Sequence, residues 1–171
     1  DSQTNGCEWH ELLGMKNVKN RGISSDVIQG FIDRVDPIVE GQPAKVFILG
    51  GVNDISHDLT PDSLCTSMEK LIVKIKQGSP RTKIYLQSLV PIDNSFGRYR
   101  KMVGKEQVIV ETNRLYKEMA ERHGVTWIDL YSKMVDPATG SMRKGLTNDG
   151  LHLLGAGYLV WRDAVLPYVK K

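Results

Sequence analysis

The sequence predicts an α/β fold in which helices cover both faces of a parallel sheet. Two observations predict it. Short apolar, β-branched runs alternate with longer segments of helical periodicity, and glycine or proline stands between the two kinds of segment. Strands that alternate with helices pair in parallel, because a helical crossover returns the chain to the same edge of the sheet. We expect the 171 residues to form one domain over residues 1–171.

Three segments have the composition of strands, and a fourth, weaker one is a candidate edge strand. In chain order, the three are residues 44–49, 83–89 and 125–130, and the weaker one is 17–20. The run 44–49 is apolar enough to predict a strand buried on both faces. In such sheets ligands bind beyond the carboxyl ends of the strands. The loops after Leu49, Leu89 and Leu130 are therefore the places where we expect the chemistry.

Four segments have helical periodicity. The clearest begins at Thr60–Pro61, a capping hydroxyl before a proline, and is stopped by Gly78–Ser79–Pro80. Its apolar residues recur at three- and four-residue spacing. The other three are residues 27–35, residues 108–120 with an end at Gly124, and a last helix after Gly155–Ala156–Gly157.

Composition excludes several classes of protein. The 23 basic and 20 acidic residues leave a charge of only +3, and the basic residues are dispersed, so we expect no nucleic-acid partner. We interpret the most basic run, residues 98–101, as a solvated loop. No apolar stretch is long enough to span a membrane, and two cysteines do not make a disulfide scaffold. A soluble protein, cytoplasmic or exported after removal of a leader, fits these features, and a homo-oligomer stays open.

Three polar segments contain residue types that catalyse reactions. In 50–54, Asn53 follows two glycines and either donates its amide to a substrate oxygen or caps a turn or helix. In 147–153, Asp149 stands three residues before His152 and can accept its Nδ1–H, which would leave Nε2 free to take a proton. Ser2 lies among small polar residues, which by itself indicates a turn or cap as readily as a nucleophile.

Taken together, these segments resemble the conserved blocks of the GDSL/SGNH hydrolases. Residues 1–6 resemble the first block, 20–26 the second, 51–54 the third (G-x-N-D) and 149–152 the fifth (D-x-x-H), in family order and with family-like spacing. The segment 9–26 is also similar to the branch of acetylhydrolases that cleave platelet-activating factor.

The resemblance implies a flavodoxin-like, three-layer α/β/α sandwich with a parallel sheet of about five strands. It also implies ester hydrolysis without a metal or organic cofactor. Ser2 would be the nucleophile, His152 the base and Asp149 the residue that orients His152. The family's first strand and a glycine precede its serine, so we expect both to lie before Asp1 in the natural chain.

The resemblance also implies an oxyanion hole. Its donors would be the Ser2 backbone N–H, the Asn53 side chain and a backbone N–H of the second block. Ser25 occupies the position of a glycine in many members, and we expect it to serve if its φ is negative. Gly22 is the alternative donor.

Several functional alternatives stay open at this point. Cys7 and His10 suggest a thiol or metal enzyme, but one Cys-x-x-His pair is poor evidence for a metal site. A non-catalytic domain of the same fold that binds carbohydrate or lipid is a second alternative. If the chain is an esterase, its compactness favours substrates with short acyl groups, acetyl above all, on a small-molecule or carbohydrate ester. A lysophospholipase or thioesterase with a longer acyl pocket is the other candidate.

Overall fold

A computed structural model describes residues 1–170 and contains a three-stranded parallel sheet. The strands are β1 (Lys45–Ile48), β2 (Lys83–Gln87) and β3 (Thr126–Ile128), and they lie side by side in the order β1-β2-β3. Lys45 pairs with Lys83, and Tyr85 pairs with Thr126. The three predicted strands are therefore present, each shorter than its apolar run because the run continues into the following loop.

Helices precede, connect and follow the strands. They are α1 (Ser2–Asn5), α2 (Trp9–Leu12), α3 (Ile28–Asp33), α4 (Asp36–Glu40), α5 (Val52–Ser56), α6 (Pro61–Gly78), α7 (Glu106–Arg122), α8 (Tyr131–Met134) and α9 (Gly155–Val169). Short 3₁₀ turns cover Asn94–Phe96 and Arg100–Met102. Among the described helices, none is both long and apolar enough to cross a lipid bilayer.

Helices cover both faces of the sheet, as the sequence predicts. Successive side chains of a strand point to opposite faces, and in β2 Ile84 and Leu86 join one apolar cluster while Tyr85 joins the other. The first cluster includes residues of α3, α6 and α7, and the second includes residues of α2, α8 and α9. The result is a three-layer α/β/α sandwich with two cores.

Helix α6 shows how closely local sequence sets an element. The Thr60 hydroxyl accepts a hydrogen bond from the Ser63 N–H at 3.2 Å, and proline occupies the first turn. The apolar residues at the predicted three- and four-residue spacing are all buried in the first apolar cluster, and they are Leu64, Met68, Leu71, Ile72 and Ile75.

Five details differ from the sequence prediction. Residues 17–20 form no strand, because the Asn20 side chain fastens the segment by donating to the carbonyls of Thr4 and Cys7, each at 3.0 Å. The segment 27–35 forms two short helices, α3 and α4, instead of one. Helix α9 begins at Gly155, so its glycines lie inside the first turn.

The other two differences concern the burial of β1 and the number of strands. Three of the four β1 residues are only half-buried, because β1 lies at the edge of the described sheet. The described sheet has three strands instead of about five. Of the two missing strands, one is the candidate at 17–20, and the other was expected before Asp1, outside the described residues.

Candidate active site

The structure brings Ser2, His152 and Asp149 together, with the His152 ring between the Ser2 hydroxyl and the Asp149 carboxylate. The Ser2 Oγ lies 3.0 Å from the His152 Nε2, although the two residues are 150 positions apart in the sequence. On the other side of the ring, the His152 Nδ1 lies 2.8 Å from the Asp149 Oδ2. Ser2 and His152 are half-buried, so a substrate can reach them. A hydroxyl, an imidazole and a carboxylate in this order can activate the hydroxyl as a nucleophile.

Asp149 is built into the loop as a fixed anion. Its Oδ1 accepts hydrogen bonds from the backbone N–H groups of Leu151 and His152, both at 2.8 Å. Burial by itself would raise the pKa of Asp149. The hydrogen bonds from the two N–H groups, the His152 ring and the Tyr99 hydroxyl outweigh burial and hold that pKa well below its usual range. Asp149 is therefore ionised wherever His152 acts as a base.

The loop that carries His152 depends on Gly150. This residue has φ +89°, and a Cβ on it would lie 2.1 Å from the backbone oxygen of Asp93. The Asp93 N–H in turn donates to the Gly150 carbonyl at 2.8 Å. A glycine is required here because the loop after β2 passes directly against the loop of Asp149 and His152.

Ser2 lies in the first turn of α1, and contacts with distant elements fix its position. The Asp1 carboxylate accepts from the Gln3 N–H at 3.1 Å and caps the helix. The Gln3 side chain donates to the Leu151 carbonyl at 3.0 Å, and the Tyr158 hydroxyl of α9 donates to the Gln3 carbonyl at 2.7 Å. These bonds tie the serine turn directly to the loop of His152.

Asn53 does not cap a helix, which removes that structural alternative. The N-cap of α5 is Gly51, at φ +133°, and no side chain caps this helix. The Asn53 Nδ2 instead donates to the backbone carbonyl of Asp26 at 2.8 Å. An amide nitrogen has two hydrogens, so one holds the second-block loop and the other can serve a substrate oxygen.

Ser25 and Gly22 both lie in the second-block loop, residues 20–26, but their backbone N–H groups have different surroundings. Ser25 has φ +63°, so the negative φ on which its role was expected to depend is not found, and this serine adopts the left-handed conformation that favours glycine. Its N–H has no acceptor within residues 1–170. The Gly22 N–H, in contrast, already donates to the Asn20 Oδ1 at 2.8 Å. A Cβ on Gly22 would lie 2.4 Å from the Asn5 nitrogen, so this glycine permits close packing of two backbones.

Two residues of the site were not found by sequence reasoning. Arg34 holds the Asp26 carboxylate through two nitrogens, at 2.8 and 2.7 Å, and thereby stiffens the loop that carries Ser25. The Tyr99 hydroxyl lies 3.0 Å from both the Asp149 Oδ2 and the His152 Nδ1. The interpretation of 98–101 as a solvated loop holds for its three cations, which are exposed, but is wrong for Tyr99. No periodicity marks a single inward tyrosine between arginines.

Cys7 and His10, the residues of the thiol or metal alternative, have different surroundings. Cys7 packs against the second apolar cluster, and burial, with a smaller contribution from Glu8, raises the pKa of its thiol. A raised pKa lowers the thiolate fraction and so the reactivity of a cysteine. His10 is exposed and lies near the carboxylates of Glu8 and Glu11, at 3.7 and 3.8 Å.

The fold and the site together define a class of protein. A serine, a histidine and an aspartate in hydrogen-bonded order, with an asparagine in the first turn of α5 after β1, lie at the carboxyl edge of a parallel sheet in an α/β/α sandwich. This is the arrangement of a serine-type hydrolase. Residues 1–160 match the model of the GDSL-like Lipase/Acylhydrolase family, and the chain belongs to this family. It is a carboxylic ester hydrolase, and a serine nucleophile is typical of the family. None of the curated proteins compared with the chain matches it.

Solved structures share the fold over nearly the whole chain. A "putative platelet activating factor" from Streptococcus pneumonia is 27% identical with a TM-score of 0.90, over 99% of this chain and 80% of that one. A GDSL-like lipase from Bacteroides thetaiotaomicron is 22% identical with a TM-score of 0.87, over 98% and 83%. A catalytic mutant of an acetylxylan esterase from Geobacillus stearothermophilus is 17% identical with a TM-score of 0.71, over 88% and 70%.

Proposed function

We propose that this hydrolase cleaves short-chain acyl esters, acetyl esters above all, from a carbohydrate or another small alcohol, with Ser2 as nucleophile. The observation that carries the proposal is the 3.0 Å contact between the Ser2 Oγ and the His152 Nε2, which continues to Asp149 at 2.8 Å. This contact gives the hydroxyl a base at hydrogen-bond distance, without which serine is a weak nucleophile.

Each residue has a defined part in the reaction. The Ser2 Oγ forms a bond to the ester carbonyl carbon while its proton passes to the His152 Nε2. The carbonyl oxygen becomes an oxyanion, and on collapse of this intermediate the alcohol leaves with the proton from His152. A water molecule then attacks the acyl-serine and gives its proton to the same nitrogen. On release of the carboxylic acid, His152 returns the proton to the Ser2 Oγ, which regenerates the hydroxyl and the neutral imidazole.

Three donors would stabilise the oxyanion. They are the Ser2 N–H, the second Nδ2 hydrogen of Asn53 and the Ser25 N–H. The bond from Asn53 to the Asp26 carbonyl supports this set, because it joins the third-block side chain to the residue directly after Ser25. The engaged N–H of Gly22 argues against that residue as the donor. Fixed donors of this kind stabilise developing charge more effectively than water, which must reorient.

The preference for short acyl groups rests on the compact surroundings of the site. The first turns of α1 and α5 and the loops 13–27 and 135–154 carry the site residues, and neither loop contains a long apolar helix that could act as a lid. The shared fold with an acetylxylan esterase supports an acetylated carbohydrate as the substrate. A lysophospholipase or thioesterase remains the alternative, and it predicts activity that rises with acyl length.

A panel of p-nitrophenyl esters from acetate to decanoate, followed by acetylated xylooligosaccharides, tests the proposal. We expect kcat/KM to be highest for acetate and to fall as the chain lengthens. A maximum at octanoate or decanoate would favour the alternative instead. Absence of turnover on every ester in the panel would favour the non-catalytic binding domain.

The nucleophile is tested separately. Ser2→Ala should remain folded and lose ester hydrolysis by about 10³-fold or more. A fluorophosphonate probe should label Ser2 in the wild type, and peptide mapping identifies the labelled residue. Cys7→Ala is the matched control and should keep both labelling and activity. Labelling at Cys7, or full activity in Ser2→Ala, would refute the assignment.

A further inference from the structure

Tyr99 contacts both Asp149 and His152 directly, yet neither the motif blocks nor the proposed reaction gives it a part. It reaches the row of Ser2, His152 and Asp149 from the loop after β2, far in sequence from either end of that row. We infer that Tyr99 is a positioning residue. Its hydroxyl holds the Asp149 carboxylate and the His152 ring in a fixed orientation relative to each other. The expected effect of Tyr99 on kcat rests on the proposed function, whereas its expected effect on the hydrogen bond between His152 and Asp149 does not.

The geometry fixes which group donates to which. The Tyr99 oxygen, the Asp149 Oδ2 and the His152 Nδ1 form a triangle with sides of 3.0, 3.0 and 2.8 Å. Asp149 as a carboxylate can only accept, so the His152 Nδ1 carries a hydrogen toward it. The single Tyr99 hydrogen also points to the Asp149 Oδ2, and a Tyr99 lone pair then faces the Nδ1–H. The Nδ1 hydrogen is thus shared between two oxygens.

The protonation of Tyr99 supports this arrangement. Burial, together with the hydrogen bond to Asp149 and the charge of Asp149, raises the pKa of Tyr99, while Arg98 opposes the shift. The phenol therefore keeps its hydrogen in the pH range where His152 must be neutral. It acts as a donor, and it is too weak an acid to take the place of the catalytic residues.

The loop that carries Tyr99 is fastened so that the hydroxyl has little freedom. Asn94 donates to the Met102 carbonyl at 3.0 Å and to the Glu106 carboxylate at 2.6 Å, which closes the loop on itself. The backbone bond from Asp93 to Gly150 joins the same loop to the one that carries Asp149. The Tyr99 and His152 rings meet edge to face, with centroids 5.7 Å apart.

Two consequences follow for the base. The second donor on Oδ2 restrains the carboxylate, because otherwise only His152 would hold that oxygen. It also stops the imidazole from rotating about its bond to the chain, which keeps Nε2 aimed at Ser2. Loss of the hydroxyl should therefore weaken the chemical step, which needs this alignment, and leave substrate binding nearly unchanged.

The test combines Tyr99→Phe with Asp149→Asn. We expect Tyr99→Phe to lower kcat about tenfold on p-nitrophenyl acetate, with KM within twofold and a small fall in melting temperature from the lost hydrogen bond to Asp149. Because Tyr99 acts through Asp149, Tyr99→Phe should have little further effect in the Asp149→Asn background. Tyr168→Phe is the matched control, since it also removes one tyrosine hydroxyl, one with no hydrogen-bond partner in residues 1–170, far from the site. Equal, additive losses in both backgrounds would overturn the inference.

Proton NMR gives a measurement that needs no turnover. A hydrogen held between His152 and Asp149 gives a low-field resonance, assigned by its loss in His152→Ala. We expect Tyr99→Phe to shift or broaden it and Tyr168→Phe to leave it in place. A shift in a protein that hydrolyses no ester would support the role of Tyr99 and refute the proposed function. Full turnover with an unmoved resonance in Tyr99→Phe would do the opposite.

Discussion

The substitution Asn53→Ala separates two contributions of one side chain. Its first hydrogen makes the 2.8 Å bond to the Asp26 carbonyl, a neutral, half-buried hydrogen bond whose loss costs about 0.5–1.5 kcal/mol of folding free energy. Its second hydrogen is the proposed oxyanion donor, and the loss of one such donor costs about 2.7–4 kcal/mol of transition-state stabilisation. Since about 1.4 kcal/mol corresponds to a factor of ten, kcat should fall by roughly 10²–10³.

The assay pairs steady-state kinetics on p-nitrophenyl acetate with denaturant unfolding. We expect Asn53→Ala to lower kcat strongly, to change KM little and to unfold about 1 kcal/mol more easily. Ser56→Ala is the matched control, because it removes a single hydrogen bond of the same helix, from the Ser56 hydroxyl to the Asn53 carbonyl at 2.7 Å. It should lose similar stability and keep its kcat.

Asn53→Asp extends the test at constant size. A carboxylate would direct an acceptor at both the Asp26 carbonyl and the oxyanion, where donors are needed. We therefore expect it to be at least as damaging to kcat as Asn53→Ala. If Asn53→Ala loses stability but keeps kcat within about threefold, the side chain only fastens the second-block loop, and its assignment to the oxyanion hole is wrong.

Two further substitutions test the loop of His152. Asp149→Asn should lower kcat by up to about 10⁴-fold. The pKa of Asp149 is lower in the folded chain than its unfolded value of about 3.9. The ionised carboxylate therefore stabilises the fold fully above about pH 3.9, and this stabilisation is lost as the pH falls toward the pKa of the folded state. Urea unfolding at pH 7 and pH 3 should therefore show a smaller stability gap between wild type and Asp149→Asn at pH 3; an equal gap would contradict the lowered pKa. Gly150→Ala should cost about 2–4 kcal/mol of stability and most of the activity, since its Cβ would strike the Asp93 oxygen. Gly140→Ala, with φ +73° and open space around its Cβ, should cost only about 1–2 kcal/mol; equal losses would show that backbone strain alone explains Gly150.

The sequence alone determined the elements whose signals are local. The Thr60–Pro61 start, the apolar spacing of α6 and its glycine-serine-proline end lie within one segment, and the helix has those bounds. Alternation of strands and helices likewise determined the parallel sheet and its two covered faces, because the crossover rule depends only on element order. The four motif blocks are also short local patterns, and they predicted the family correctly.

Local signals were weaker where contacts between segments decide the structure. The candidate strand at 17–20 had one apolar residue in four, and its backbone is held by the Asn20 amide instead of a neighbouring strand. Asn53 follows two glycines, as a cap often does, but the carbonyl it binds belongs to Asp26, 27 residues earlier. The positive φ of Ser25 is likewise invisible in a sequence where that position is not glycine.

Only the tertiary structure decided how the site is assembled. Ser2 and His152 come from opposite ends of the chain, and their 3.0 Å contact depends on how α1 packs against the last loop. Tyr99 joins them because a glycine at 150 lets the loop after β2 approach to hydrogen-bond distance. The physical reason is one of range. Periodicity and capping act over a few residues, whereas the atoms of a hydrogen-bonded triangle must be placed to within a few tenths of an ångström by every element that packs between them.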